Sequence, residues 1–270
     1  ENPYFRSSVY QYFAAFYQHW CEPLKDTLPY LDLGLSMGRA GINPLAAGYC
    51  ALLRSVNTFI AGAPLDDIEI EAEQGLAFLQ RSRQPTTENM LRIGVLQPIA
   101  ALRGRATQGF DTSEVRLAAL LGDNFDTPTI SLAFYVFAMT RHAYLFDLAS
   151  DWRSVSPKVP MIGALMPDSP TLAEASFFRA LGLLRFHSPG ADREAAINEA
   201  QALAARFESW ATHCPTNYQH KALLIRAELA RVRDEAQLAM ETYARAIDAA
   251  SESGFIHMEA LSNELYARYW

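Results

Sequence analysis

Gly34-Leu35-Ser36-Met37-Gly38 spells Gly-X-Ser-X-Gly, the pattern of a hydrolase nucleophile elbow. That chemistry needs a strand-turn-helix that strains the serine into the open above a parallel sheet, with a glycine-rich loop for the oxyanion. The 33 residues before Gly34 read as helix, with no upstream strand or oxyanion loop. The segment is therefore expected to be the glycine-rich end of a helix. Histidines stand at 19, 142, 187, 213, 220 and 257, and no His-X-X-X-His or Cys-X-X-Cys pair occurs. No metal site is expected from such spacing. His213 and His220 flank a helix start and are expected to hydrogen-bond the turn. No phosphate loop or dinucleotide fingerprint appears, so no catalytic residue and no cofactor is assigned.

Polar residues on otherwise apolar helices are the better candidates. In a solenoid of helix pairs, the first helices of the pairs line a concave face where partners bind. By position, Lys221, Glu228 and Arg231 are expected to face it, with Tyr49, Arg54 and Asn57 on an earlier helix. The competing expectation is that they cap neighbouring helices or form internal ion pairs, because buried polar groups are normally satisfied.

The elements that position them are clearest at the C-terminus. Ala236, Ala239, Met240, Tyr243, Ile247 and Ala250 recur at steps of three and four, one apolar stripe at helical period. Asp234 with Gln237 reads as an N-cap and capping box, and Gly254 as a C-cap. The helix before it, about 218–232, is apolar on almost every side and is expected to be sandwiched between neighbours. Ala227, Ala239, Tyr243 and Ala246 fall where a tetratricopeptide repeat places its small, small, aromatic and small residues. Two positions differ: Ala227 stands for the usual glycine, and Ser251 for the usual proline.

Composition bounds the rest. Half of the 270 residues are apolar, enough for a large core. The net charge of −7 and a pI near 5.4 argue against nucleic acid and anionic membrane as partners. Cys21, Cys50 and Cys214 lie far apart, without disulfide or zinc spacing, so a reducing cytoplasm is expected. The apolar run at 127–140 falls short of the ~20 residues that span a bilayer. A piece cut from a longer cytoplasmic protein is the expectation, with no membrane insertion.

Along the chain, 3–20 is an aromatic-rich helix, and its stripe from Tyr4 to Trp20 is expected in the core. Residues 24–37 form its partner, with Pro29 expected to kink or shorten the first turn. Asn43-Pro44 caps a helix to about Ile60. Asp66 with Glu69 is a second capping pair, on a helix to about Arg83. Pro85 starts a helix that Pro98 is expected to kink. A loop at 107–112, a short helix at 113–121 and a turn at 122–126 follow. Thr127-Pro128 starts a buried helix to about Phe146, despite strand-like content at 130–139, and 148–155 is its short partner. Residues 157–170 hold four prolines and read as an irregular linker. Ser169-Pro170 caps the next helix, Pro189-Gly190 is a turn, and Asp192 starts a long helix to about Trp210. The sum is about six helix pairs in one all-α domain over 1–270, a tetratricopeptide-like α-α superhelix of antiparallel pairs.

Trp210-Ala-Thr-His213-Cys-Pro215-Thr-Asn217, then His220-Lys221, Ala227-Glu228, Tyr243-X-X-Ala246-Ile247-X-X-Ala250 and Glu259-Ala260-Leu261-Ser-Asn-Glu264-Leu265, make a more specific text. It resembles the helical-repeat region of very large bacterial signalling proteins. These join a serine/threonine kinase-like domain, a signal-transduction ATPase, a tetratricopeptide-like region, a GAF domain and a sensor histidine kinase. Gly34 to Gly41, Asn43-Pro44-Leu45 and Ser82 to Thr87 also fit one branch. The resemblance implies a non-catalytic sensor and scaffold segment that binds a peptide, protein or small ligand in its groove. It would relay that state to the attached ATPase and kinase domains. The alternative is a helical-repeat enzyme with a pocket in the solenoid, which paired acidic and basic residues in one deep cleft would favour.

Overall fold

A computed structural model describes residues 2–105, 128–187 and 190–270. The loop, short helix and turn expected over 107–126 lie outside these residues. Among the described residues every regular element is a helix and no strand occurs. The helices are α1 Pro3–Phe16, α2 Leu28–Arg39, α3 Pro44–Ala61, α4 Leu65–Arg81, α5 Pro85–Leu91 and α6 Gln97–Leu102. After the undescribed stretch come α7 Ile130–Leu145, α8 Ala149–Val155, α9 Val159–Leu165 and α10 Pro170–Arg185. The chain ends with α11 Ala191–His213, α12 Pro215–Val232, α13 Ala236–Glu252 and α14 Ile256–Tyr269. No helix among the described residues is long and apolar enough to cross a membrane.

Local chemistry sets many of the boundaries. Asn43 caps α3, its side chain accepting from the Ala46 N–H, with Pro44 in the first turn where its missing donor costs nothing. Thr129 and Ser169 cap α7 and α10 in the same way, accepting from Leu132 and Leu172. The strand-like content of 130–139 is thus overridden by a cap and a length that suit a buried helix. Pro98 follows a change of helix type rather than sitting in a uniform α-helix. The chain takes up a π-type stretch at Arg92–Leu96, and Pro98 falls in the first turn of α6. Such a bulge releases the backbone bond that proline cannot make.

Four local expectations need correction. Asp234 sits at φ 60°, Glu235 occupies the N-cap of α13 without a side-chain bond, and Gln237 donates to Glu241 instead. The capping box fails because a left-handed Asp234 cannot aim its carboxylate at the α13 N–H groups. Asp66 and Glu69 are not a capping pair either: both carboxylates are taken by Arg103, and Glu69 also by Arg105. The proline-rich 157–170 stretch is not an irregular linker. It carries a 3-10 turn and α9, with Pro157 and Pro160 in first turns where proline is tolerated. The aromatic stripe of α1 is not core: Phe5 is 64% exposed, Val9 61% and Tyr17 67%. The helix lies on α2 and α3 through residues such as Ala14, with Phe13 against Tyr30 of α2 and Phe16 and Trp20 against core residues, while the outer part of the stripe stays exposed.

Sequence-adjacent helices pack on one another through α1–α4 and again through α10–α14. One large apolar cluster runs from Leu24 to Ala175 and a second from Ala143 to Leu265. Helices α7 and α10 contribute to both, through Met139 and Ala175 on one side and Tyr144 and Phe177 on the other. Ala227, Ala239, Tyr243, Ala246 and Ala250 are all buried, so α12 and α13 approach closely along small residues. Trp152 lies so close to α10 that a β-carbon at Gly182 would fall 2.1 Å from its indole.

Candidate functional site

Charged and polar side chains collect between the two halves of the chain. Glu174, on apolar α10, is fully buried and accepts from Lys221 Nζ of α12 at 2.5 Å. Arg141, on apolar α7, is 7% exposed, and its Nη1 stands 3.9 Å from the free Glu174 Oε1. Neither Arg141 Nε, Arg141 Nη1 nor Glu174 Oε1 has a hydrogen-bond partner. The Arg141 guanidinium lies over the Phe59 ring at 4.1 Å, a cation–π contact in a dry place. Burial lowers the pKa of Arg141, and the Glu174 charge opposes that shift.

Histidines surround this set. His220 and His257 are buried enough for desolvation to push both pKa values well below the ordinary range, and the nearby cations push the same way. None of their four ring nitrogens has a partner. His220 instead faces the Phe255 ring at 4.5 Å, so it does not bond the turn as expected. Its neighbour in that expectation, His213, is exposed at the end of α11.

On the other side, His19 lies against Tyr218, and burial drops its pKa to about 4. Its Nε2 meets the Asp168 carbonyl at 2.8 Å, and a carbonyl only accepts, so Nε2 carries the proton. Nδ1 therefore accepts from the Tyr218 hydroxyl at 2.6 Å. Asn217 completes the join: Oδ1 accepts from the Leu24 N–H, and Nδ2 donates to the His19 and Glu22 carbonyls. Trp20, Trp210 and Tyr218 stack beside it. The start of the chain is thereby pinned to α12.

A second carboxylate, Glu228, is buried one step along α12. Its Oε1 accepts from the Tyr243 hydroxyl and its Oε2 from Arg231 Nη2 at 2.7 Å. Burial, then the Glu228 charge, holds the Tyr243 hydroxyl far above the ordinary tyrosine range.

The six residues singled out in the sequence are therefore spread over several places. Glu228 and Arg231 meet each other, and Lys221 meets Glu174. Asn57 is buried and donates to Thr27 Oγ1 at 3.0 Å, with its own Oδ1 unpartnered. Arg54 pairs with Asp32 and Glu71 beside a polar cleft of about 550 Å³ that also holds Ser36. Tyr49 is half-buried against the Leu24–Ala175 cluster. Ser36 lies inside α2, its hydroxyl donating to the Leu33 carbonyl, with no strand before it. Comparison with protein-family models, curated proteins and solved structures finds no match to this chain.

Arg141, Glu174, His257, His19 and Asn217 were not singled out. The signal for two of them was present: a lone arginine in Ser131–Leu145 and a lone glutamate in Pro170–Phe178, each amid apolar residues. An ionisable group in such a run must find a partner or a function. Among the described residues, no three His, Cys, Asp or Glu side chains converge as a metal-ligand set.

A cleft of about 500 Å³ opens beside Arg141. Phe59, Leu65 and Ile68 form one wall, and Ile256, His257 and Leu261 of α14 form the other. Gly62 makes the approach possible. It caps α3 at φ 77°, and a β-carbon there would fall 1.9 Å from His257 Nδ1. The cleft thus touches two segments nearly two hundred residues apart in the sequence.

Proposed function

We propose that this chain is a non-catalytic sensor and scaffold module. It is a tetratricopeptide-like stack of helix pairs that takes up a peptide, protein or small ligand on its inner face. Its inward polar residues support this reading, with Arg141 as the carrying observation: a buried guanidinium with free donors beside an apolar cleft. A cleft of that size, mostly apolar with a few convergent polar groups, has the character of small-molecule sites. Because its walls come from α3–α4 and α14, an occupant would tie the two halves of the chain together. That is a means of relay to domains attached at either end. The assignment of those domains as kinase and ATPase, and of a cytoplasmic setting, rests on the resemblance of the Trp210–Leu265 text.

The test is a thermal-shift screen of metabolites and short peptides, followed by hydrogen exchange on any hit. Protection is expected in 56–68 and 254–264 together. A hit that protects only one of these segments would remove the relay.

One observation favours an enzyme as the second reading: Glu174 and Lys221 are a paired acid and base in the interior. The space beside Lys221, His19 and Tyr218 is only about 10 Å³, which leaves room for little more than a water molecule. Turnover of any screened compound, lost in Glu174→Gln with the fold intact, would establish that reading over the first.

A further inference from the structure

We infer that the Arg141 cleft is a site for a small amphiphile with an apolar body and a single carboxylate head, such as a medium-chain fatty acid. The inference rests on the binding-module reading above and specifies its ligand. The first argument is charge. Arg141 and Lys221 are two buried cations, and among the described residues Glu174 is the one carboxylate acting on Arg141. One positive charge is left over in a place where water does little to solvate it. Lys221 has its partner at 2.5 Å, so the excess sits on Arg141, whose Nε and Nη1 are free. A buried unpaired cation is costly, and an anion that accepts from the guanidinium removes that cost. A carboxylate matches the guanidinium fork geometrically as well.

His257 stands in the lining with Arg141. Burial keeps its imidazole neutral at neutral pH, so one ring nitrogen carries a proton, and both nitrogens are unpartnered. The remaining lining is aliphatic and aromatic, including Phe59, Leu145, Phe178 and Leu261. At the rim, Ile256 is 71% exposed, a large apolar surface that an alkyl chain would cover. Glu264 is the one carboxylate in the lining, and it lies at the exposed edge, paired with Arg268 at 2.5 Å. A peptide fits this cleft poorly. Each of its residues brings an N–H and a C=O that need partners, and the walls supply few.

The test is calorimetric titration with decanoate, decanol and decyltrimethylammonium, repeated on Arg141→Gln and Ala260→Trp. Ala260 lines the cleft and is exposed, so a tryptophan there fills the space without disturbing the buried ion pairs. Decanoate is expected to bind at least ~10-fold more tightly than decanol, the scale of a charge-assisted pair. Arg141→Gln should erase that preference, and Ala260→Trp should abolish binding of both. Equal affinity for decanoate and decanol, or no decanoate binding at all, overturns the ligand class. If another compound then binds and Ala260→Trp blocks it, the binding-module reading survives the loss. If decanoate binding persists in Ala260→Trp, the site itself is wrongly placed.

Discussion

Glu174 and Glu228 are two buried carboxylates, each paired with a cation of α12, and they differ in how fully they are used. Glu228 spends both oxygens, on the Tyr243 hydroxyl and on Arg231. Glu174 gives Oε2 to Lys221 and leaves Oε1 without a bond, with Arg141 close by and also underused. A saturated network fixes one arrangement of helices, here α12 against α13. An unsaturated one does not specify its surroundings as tightly, and it opens on the apolar cleft. The Glu228 set belongs to the packing of α12 on α13. The Arg141 set has the character of a place completed by something else.

The largest expected effect tests the saturated side. Tyr243→Ala removes a fully buried ring and orphans Glu228 Oε1 together. The cavity alone costs ~3–5 kcal/mol by analogy with other large aromatic truncations. Urea denaturation should place the variant at or above the top of that range, while exposed Glu241→Ala stays within ~0.5 kcal/mol of the parent. Limited proteolysis should find the C-terminal third opening first, as expected where helix pairs contact mainly their neighbours. Equal stability of the two variants would remove the register assigned to α13. On the unsaturated side, Lys221→Met should cost ~3 kcal/mol, the low end for breaking a buried pair. The cost is moderated because Arg141 Nη1 is only 3.9 Å from Glu174 Oε1 and can close on it. A loss under ~1 kcal/mol in denaturation would mean that Lys221 is dispensable to the fold.

The same contrast marks what could be read in the sequence. Caps at Asn43 and Ser169 gave α3 and α10, and period gave α7 and α13, because these signals act locally; the cap of α7 is Thr129, just beyond the expected Thr127-Pro128 start. Glu228 was legible as an inward residue for the same reason, since its partners Arg231 and Tyr243 are three and fifteen residues away. Arg141–Glu174, Glu174–Lys221, Gly62–His257 and His19–Tyr218 join residues 33 to 199 positions apart, and no local pattern reports them. The α1 stripe misled because periodicity shows that a face is apolar, not that a neighbour exists to cover it. Asp234 misled because a capping box is a statement about side-chain direction, and its positive φ changes that direction.

The next effect in size concerns pH. His19 titrates near 4 when folded, against about 6.5 in the unfolded chain. Between those values the unfolded state binds more protons, so stability falls as pH falls from 6.5 toward 4. His220 and His257 shift the same way and steepen the loss. For His19 alone the full loss is on the order of 3 kcal/mol, of which part appears by pH 5. Urea midpoints at pH 7.5, 6.0 and 5.0 would measure it above the range where ordinary carboxylates titrate. Unchanged midpoints across that range would mean that these imidazoles are not held neutral by the fold.

The smallest expected effect decides between the two carboxylates most directly. Arg141→Met replaces a buried cation by an apolar side chain of similar length. The variant loses the contact with Phe59 and the long-range attraction of Glu174, worth ~1–2 kcal/mol together in a desolvated place. It also removes an incompletely paired guanidinium from an apolar setting, and replacing such a charge by well-packed apolar atoms is often neutral or stabilising. The two nearly cancel, so denaturation should move by less than ~1 kcal/mol although Arg141 is almost fully buried. In the Lys221→Met background the balance changes, because among the described residues Arg141 is then the only cation left for Glu174. There the second substitution strands a buried carboxylate and should cost ~3 kcal/mol more, a coupling that a double-mutant cycle reads directly. A cost of ~3 kcal/mol for Arg141→Met in the parent would instead mark Arg141 as a saturated structural partner. Glu174 and Glu228 would then be equivalent, and the free donor at the cleft would disappear with the difference between them.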